Sequence, residues 1–101
     1  MILEVATLDV CPGEEAAFEA DFARAEPLIT GIPGYRSHEL KRCLEKPSRY
    51  LLLANWDSLE AHTIGFRQSP QYQDWKRLLH HYYDPFPTVE HYTTVRGIAG
   101  R

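Results

Sequence analysis

YLLLANWDSLEAHTIGFRQSPQY, residues 50 to 72, contains an apolar strand, a tryptophan, a helix cap, a short amphipathic helix and a second cap. The run from Tyr50 to Ala54 has the length of a buried strand, and Asp57-Ser58 supplies the turn and cap signal that closes it. Asp57 with Glu60 has the form of a capping box, which opens a helix whose apolar side runs through Leu59, Thr63 and Phe66. Ser69-Pro70 ends that helix and starts another. Proline suits the first helical position, and the serine hydroxyl can accept the free N–H groups. Tyr72, Trp75, Leu79 and Tyr82 then fall on one face at helical spacing. One buried strand is thus followed by two short helices, the back half of a two-layer α+β domain.

The front half has the same grammar. Ile2 to Val10 is rich in apolar and β-branched residues and stops at Cys11-Pro12-Gly13, giving a first strand. Glu14-Glu15 place negative charge at a helix start, and Phe18, Phe22, Ala25 and Ile29 recur at helical intervals. The spacing predicts a helix from about Pro12 to Glu26, disturbed at Pro27. Gly31, Pro33 and Gly34 form a loop, an extended segment runs from Tyr35 to about Glu45, and Lys46-Pro47-Ser48 connects it to the Tyr50 strand. Beyond the helices, Asp84-Pro85-Phe86-Pro87 breaks the chain, and Thr88 to Val95 alternates as a last strand before a tail, 96–101. The predicted order is β-α-β-β-α(α)-β, a ferredoxin-like split βαβ sandwich with a four-stranded antiparallel sheet, in a single domain over residues 1–101 with its core at about 2–95.

Composition narrows the partners. The formal net charge is −3, and no basic run exceeds Lys41-Arg42, so the electrostatic footprint of a nucleic-acid binder is missing. No apolar stretch reaches bilayer-spanning length, and the first residues lack a signal-peptide pattern; a cytoplasmic protein without a membrane partner is expected. Cys11 and Cys43 have no metal-ligand spacing and read as small, half-buried apolar residues. Both faces of the sheet are apolar: strand one carries Leu3 and Val5 against Ile2, Ala6, Leu8 and Val10, and strand three carries Leu51 and Leu53 against Leu52, Ala54 and Trp56. Helices can cover only one face, so a second copy of the chain is expected on the other, giving a homodimer packed sheet against sheet.

The element order, the Trp56-Asp57-Ser58-x-Glu60-Ala61 turn, the Phe66-x-x-Ser69-Pro70-x-Tyr72 step and a final strand led by Pro87 resemble the antibiotic biosynthesis monooxygenase (ABM) family of dimeric α+β barrels. The resemblance covers about residues 2 to 95 and implies this fold and its pairing into a dimeric barrel. The family includes cofactor-free monooxygenases acting on polyketide phenols, haem-degrading enzymes and members without an assigned reaction. This chain departs from it at Phe66, where many relatives place a histidine and the haem-degrading branch a tryptophan. That branch also resembles a triad completed by a strand-one asparagine and a helical histidine. Here strand one offers Glu4, Val5, Ala6 and Thr7, and the helix offers Trp75 and Lys76. The resemblance therefore does not extend to haem breakdown.

Oxygenation without metal or flavin needs a substrate that itself gives an electron to dioxygen, as a phenolate or enolate; the protein must bind it, deprotonate it and shield it from water. Trp56, Phe66, Tyr72, Trp75 and Tyr83 are candidate walls, although large aromatics at helical spacing commonly serve as plain core, and Trp56 reads as scaffold. His38, His62, His80 and His91 are candidate bases. His62 lies beside the apolar side of its helix and is the candidate catalytic residue; His38 and His91 sit mid-strand, facing either a pocket or the dimer surface. His80-His81 lie at a helix end, where a cation complements the dipole. No His-x-x-x-His pair with a carboxylate suggests a metal, and no cofactor is expected. The leading reading is a cofactor-independent monooxygenase of a small aromatic or quinone-like substrate. The alternative is a non-catalytic ligand-binding or dimerisation module on the same fold.

Overall fold

Apolar alternation in the first segment builds β1 (Ile2–Asp9), with Glu4, Ala6 and Leu8 buried on one face and Leu3, Val5 and Thr7 half-buried on the other. The computed structural model describes residues 1–100 and places β1 at the centre of a four-stranded antiparallel sheet ordered β2-β3-β1-β4. The other strands are β2 (Tyr35–Arg42), β3 (Arg49–Trp56) and β4 (Thr88–Tyr92). Two helices, α1 (Glu15–Thr30) and α2 (Pro70–Leu79), cover one face. This is the expected ferredoxin-like α+β arrangement. β3 runs on past the Tyr50–Ala54 run to Trp56, which joins Tyr50, Leu52 and Ala54 in the core on the face the alternation assigned to it. β2 and β4 are shorter, ending at Arg42 and Tyr92. Arg101, the last residue of the expected tail, lies outside the described residues.

α1 differs from expectation at both ends. It starts at Glu15 rather than near Pro12, and it continues through Pro27 to Thr30. An internal proline costs a helix about 3 kcal/mol. Here the extra turn buries Ile29, which is 1% exposed, and burying such a side chain is worth about 1.5–3 kcal/mol. Phe18, Phe22 and Ala25 complete the buried stripe of α1 against the sheet.

The segment after β3 also differs. Asp57 does not cap a helix, because its carboxylate pairs with the Arg36 guanidinium; the Ser58 hydroxyl accepts the Ala61 N–H at 3.2 Å instead. The following turn, Ala61–Phe66, is a π-helix, closed by a bond from the Arg67 N–H to the His62 carbonyl at 3.1 Å. Its buried residues are His62 and Phe66, while Leu59, assigned to the apolar side from sequence, is exposed. The second cap forms as read: the Ser69 hydroxyl accepts the Tyr72 N–H at 3.2 Å, and Pro70 opens α2. A 3-10 turn, His80–Tyr82, extends α2 and carries Tyr82 into the core.

Candidate functional site

A cavity of about 380 Å³ lies between the sheet and the helical layer. β1 supplies its floor through Glu4, Ala6 and Leu8. The π-helix and the residue that caps it supply His62, Phe66 and Arg67, and α2 with the following turn and loop supplies Tyr72, Trp75, His80, Tyr83 and Phe86. The aromatic wall is a packed array: Phe66 meets Tyr72 and Trp75 edge-on, with ring centres 5.1 and 5.5 Å apart. Such pairs add about 0.5–1.5 kcal/mol each beyond area burial and fix ring directions.

The polar end of the cavity is built around Glu4, a carboxylate on the inward face of the central strand that is only 5% exposed. Its Oε1 accepts the Trp56 Nε1–H at 3.0 Å and lies 3.4 Å from Nε2 of His62. His62 Nδ1 in turn lies 2.8 Å from Nε2 of His91, the residue opposite Glu4 on β4. Burial pushes the Glu4 carboxyl above its ordinary range, against the opposing pull of the Trp56 N–H and the Arg67 charge. Burial also holds the His62 imidazolium down to about 3, reinforced by the charges of Arg67 and His91, so His62 is neutral near neutral pH. His91 shifts downward for the same two reasons, burial and Arg67.

With Glu4 ionised, the favourable tautomer of His62 turns Nε2–H toward the carboxylate and accepts at Nδ1 from His91. With Glu4 protonated, the carboxyl can donate to Nε2, and Nδ1–H then donates to His91. The three side chains thus cluster at one end of the cavity, His62 and His91 joined by a hydrogen bond and the Glu4 carboxylate 3.4 Å from the other ring nitrogen of His62.

Among the residues singled out from sequence, His62, Phe66, Tyr72, Trp75 and Tyr83 line the cavity together. Trp56 stands behind it, stacked on His62 and Phe66 and donating to Glu4. His91 sits behind His62, hydrogen-bonded to it. His38 is elsewhere: its ring bridges Tyr35 Oη at 2.6 Å and Glu26 at 2.5 Å, tying β2 to α1. His80, read as a helix-end cation, lines the cavity, and burial followed by the charge of Lys76 lowers its pKa. Glu4 and Arg67 were not singled out as candidates. The available signal for Glu4 was a lone carboxylate in the period-two register of Ala6, Leu8 and Val10. Among the described residues, no group of three histidine, cysteine or carboxylate side chains could hold a metal ion, and no helix is long and apolar enough to cross a membrane.

The family model for antibiotic biosynthesis monooxygenases matches residues 1–78. The uncharacterised protein YczJ of Bacillus subtilis strain 168 is 50% identical over 95 residues, which span 94% of this chain and all of that protein. A Bordetella bronchiseptica protein of solved structure, carrying the same family description, is 38% identical and superimposes with a TM-score of 0.90 over 94% of this chain and 97% of its own. SnoaB, a cofactor-independent oxygenase from Streptomyces nogalater, shares the fold at 21% identity, with a TM-score of 0.83 over 98% and 97% of the two chains. The chain therefore belongs to the antibiotic biosynthesis monooxygenase family.

Proposed function

We propose that this protein is a cofactor-independent monooxygenase of a small phenolic or quinone-forming substrate, with Glu4 as proton acceptor and the His62–His91 pair positioned beside it. The observation that carries this reading is the buried Glu4 at the end of an aromatic cavity, 3.4 Å from His62, which is hydrogen-bonded to His91. Glu4 fits the base better than His62, because a base works best with its pKa near the working pH. The Glu4 pKa is raised, whereas that of His62 lies near 3. His62 is then the neutral residue beside the base, 3.4 Å from its carboxylate. The shared fold with a cofactor-independent oxygenase supports a reaction of this class.

The chemistry balances as phenol plus dioxygen giving quinone plus water. Glu4 takes the phenol proton, the phenolate gives an electron to dioxygen, and recombination forms a carbon–oxygen bond at a ring C–H carbon. Glu4 returns its proton to the resulting peroxide. It then takes the proton of that ring carbon as the O–O bond breaks and the carbonyl forms, and finally protonates the departing hydroxide to water. All four electrons come from the substrate. The dry aromatic wall protects the radical pair and strengthens the polar contacts.

A homodimer belongs to the same reading. Leu3, Val5, Leu51 and Leu53 stand half-buried on the sheet face opposite the helices, and a second copy packed sheet against sheet would cover them.

The test is oxygen uptake by metal-free protein with a panel of phenols and hydroquinones, comparing wild type, Glu4→Gln and His62→Ala. Wild-type uptake that falls by about 10²-fold or more in Glu4→Gln supports the assignment. Uptake unchanged in that variant removes Glu4 as the base. Lack of uptake across the panel sinks the enzyme reading in favour of a ligand-binding module.

A further inference from the structure

Arg67 is a half-buried cation facing the cavity. Arg24, Arg36, Arg42, Arg49 and Arg77 each contact an aspartate or glutamate. Among the described residues, Arg67 has no carboxylate at salt-bridge distance and makes no side-chain hydrogen bond. The nearby carboxylate of the cavity, Glu4, is engaged by Trp56 and His62. A guanidinium in partial burial normally finds a counter-charge, because desolvation is otherwise uncompensated.

The π-helix explains how Arg67 reaches this position. In an α-helix, residue i+5 points about 140° away from residue i, at 100° per residue. Here the Arg67 N–H bonds the His62 carbonyl, so residue 67 comes round above residue 62 and joins His62 and Phe66 on the cavity wall. Single π-turns of this kind recur at functional sites. The charge is felt inside: Arg67 acts on the titration of Glu4, His62, Tyr72 and His91.

We propose that Arg67 and the Phe66–Tyr72–Trp75 wall form a subsite for the anionic oxygen of a flat aromatic ligand, a phenolate or an aryl carboxylate. Guanidinium geometry suits such oxygens, since its planar fork donates two parallel hydrogen bonds. The ring then lies against the aromatic wall. The subsite deepens the oxygenase reading: when Glu4 takes the phenol proton, the new phenolate is left beside a cation and the charge of the cavity does not change. It rests on that reading only through the shared cavity, and its test involves no turnover.

Binding is measured under nitrogen by tryptophan fluorescence and calorimetry with 2-naphthoate, the neutral isostere 2-naphthamide, and 2-naphthol, whose ionisation is followed by its own absorbance. Wild type should bind naphthoate at least about tenfold more tightly than the amide, since a hydrogen bond to a charged group is worth about 1.5–3 kcal/mol. It should also lower the ionisation pH of bound naphthol. Arg67→Gln should lose both effects while keeping its affinity for the amide, and Arg67→Lys should keep part of both. A carboxylate preference alone identifies the ligand as an aryl acid; a naphthol shift alone identifies it as a phenolate. Equal binding of all probes, a preference that survives in Arg67→Gln, or no binding to wild type overturns the proposal. Oxygen uptake can fail while this result stands, and the reverse also holds.

Discussion

The indole N–H of Trp56 donates to Oε1 of Glu4 across 3.0 Å, joining the end of β3 to the inward face of β1. Trp56 is fully buried, and its ring stacks on His62 and Phe66. A side chain that reads as scaffold thus also sets the acidity of the cavity carboxylate. The bond lowers the Glu4 pKa while burial raises it, and burial has the larger effect. Trp56→Phe keeps most of the ring and removes the donor. The Glu4 pKa should then rise further, moving the acidic limb of any oxygen-uptake profile to higher pH. Losing the donor should also cost about 1–3 kcal/mol of stability. A pH–rate profile with a chemical-denaturation curve checks both, and an unmoved limb would sever Trp56 from the control of Glu4.

His62 and Glu4 pull stability in opposite directions as pH changes. The folded-state pKa of His62 is lowered from 6.5 to about 3, so between these values the unfolded chain holds the proton that the native cavity refuses. Stability is therefore lost as pH falls from 6.5 toward 3, with a slope of at most about 1.4 kcal/mol per pH unit. The folded-state pKa of Glu4 is raised from 4.5, so its contribution is fully present below that value and is lost as pH rises through the folded-state pKa. His62→Gln should flatten the acid-side loss, leaving the smaller parts of His80 and His91, whose pKa values are also lowered. Denaturation midpoints at several pH values measure the slope; parallel curves for wild type and variant would refute a neutral, buried His62.

How much of this could be read from the chain depends on whether the deciding force is local. Strand alternation, the Ser69-Pro70 cap and the aromatic stripe of α2 are local patterns, and they formed as read. The π-turn is not local. Its residues carry α-helical signals, and the structure instead stacks Trp56, His62 and Phe66 as one aromatic layer, with Asp57 drawn away by Arg36. Alternation places His38 on the helix-facing side, but β2 is an edge strand, and position on that edge sends the ring to Glu26 rather than to the cavity. The role of Glu4 needed the three-dimensional meeting of β1, β3, β4 and the π-turn.

Gly34 marks a close approach that this meeting requires. It adopts φ +90°, and a Cβ there would lie 2.6 Å from the Cβ of Ala61, at the start of the π-turn. Gly34→Ala therefore combines a left-handed backbone with a steric clash and should destabilise by about 1–3 kcal/mol. The double variant Gly34→Ala/Ala61→Gly relieves the clash and leaves the backbone cost, so it should recover part of the loss in thermal melts. If the single variant melts like wild type, the packing of this loop on the π-turn is not a constraint.

Val5 faces Leu53 directly across the β1–β3 pair on the face away from the helices, with Leu3 and Leu51 nearby. A second copy of the chain is the proposed cover for this patch, and a charge at its centre tests that. Leu53→Glu leaves the helix-side core untouched, because Leu53 points away from it, so the monomer should stay folded. A buried unpaired carboxylate in a sheet-to-sheet interface costs several kcal/mol. That is enough to weaken dimerisation by 10²-fold or more. Sedimentation equilibrium of wild type should give twice the mass of the chain at micromolar concentration, and the variant should give the single-chain mass. A wild type that stays monomeric across this range refutes the pairing, as does a variant that still dimerises with unchanged affinity.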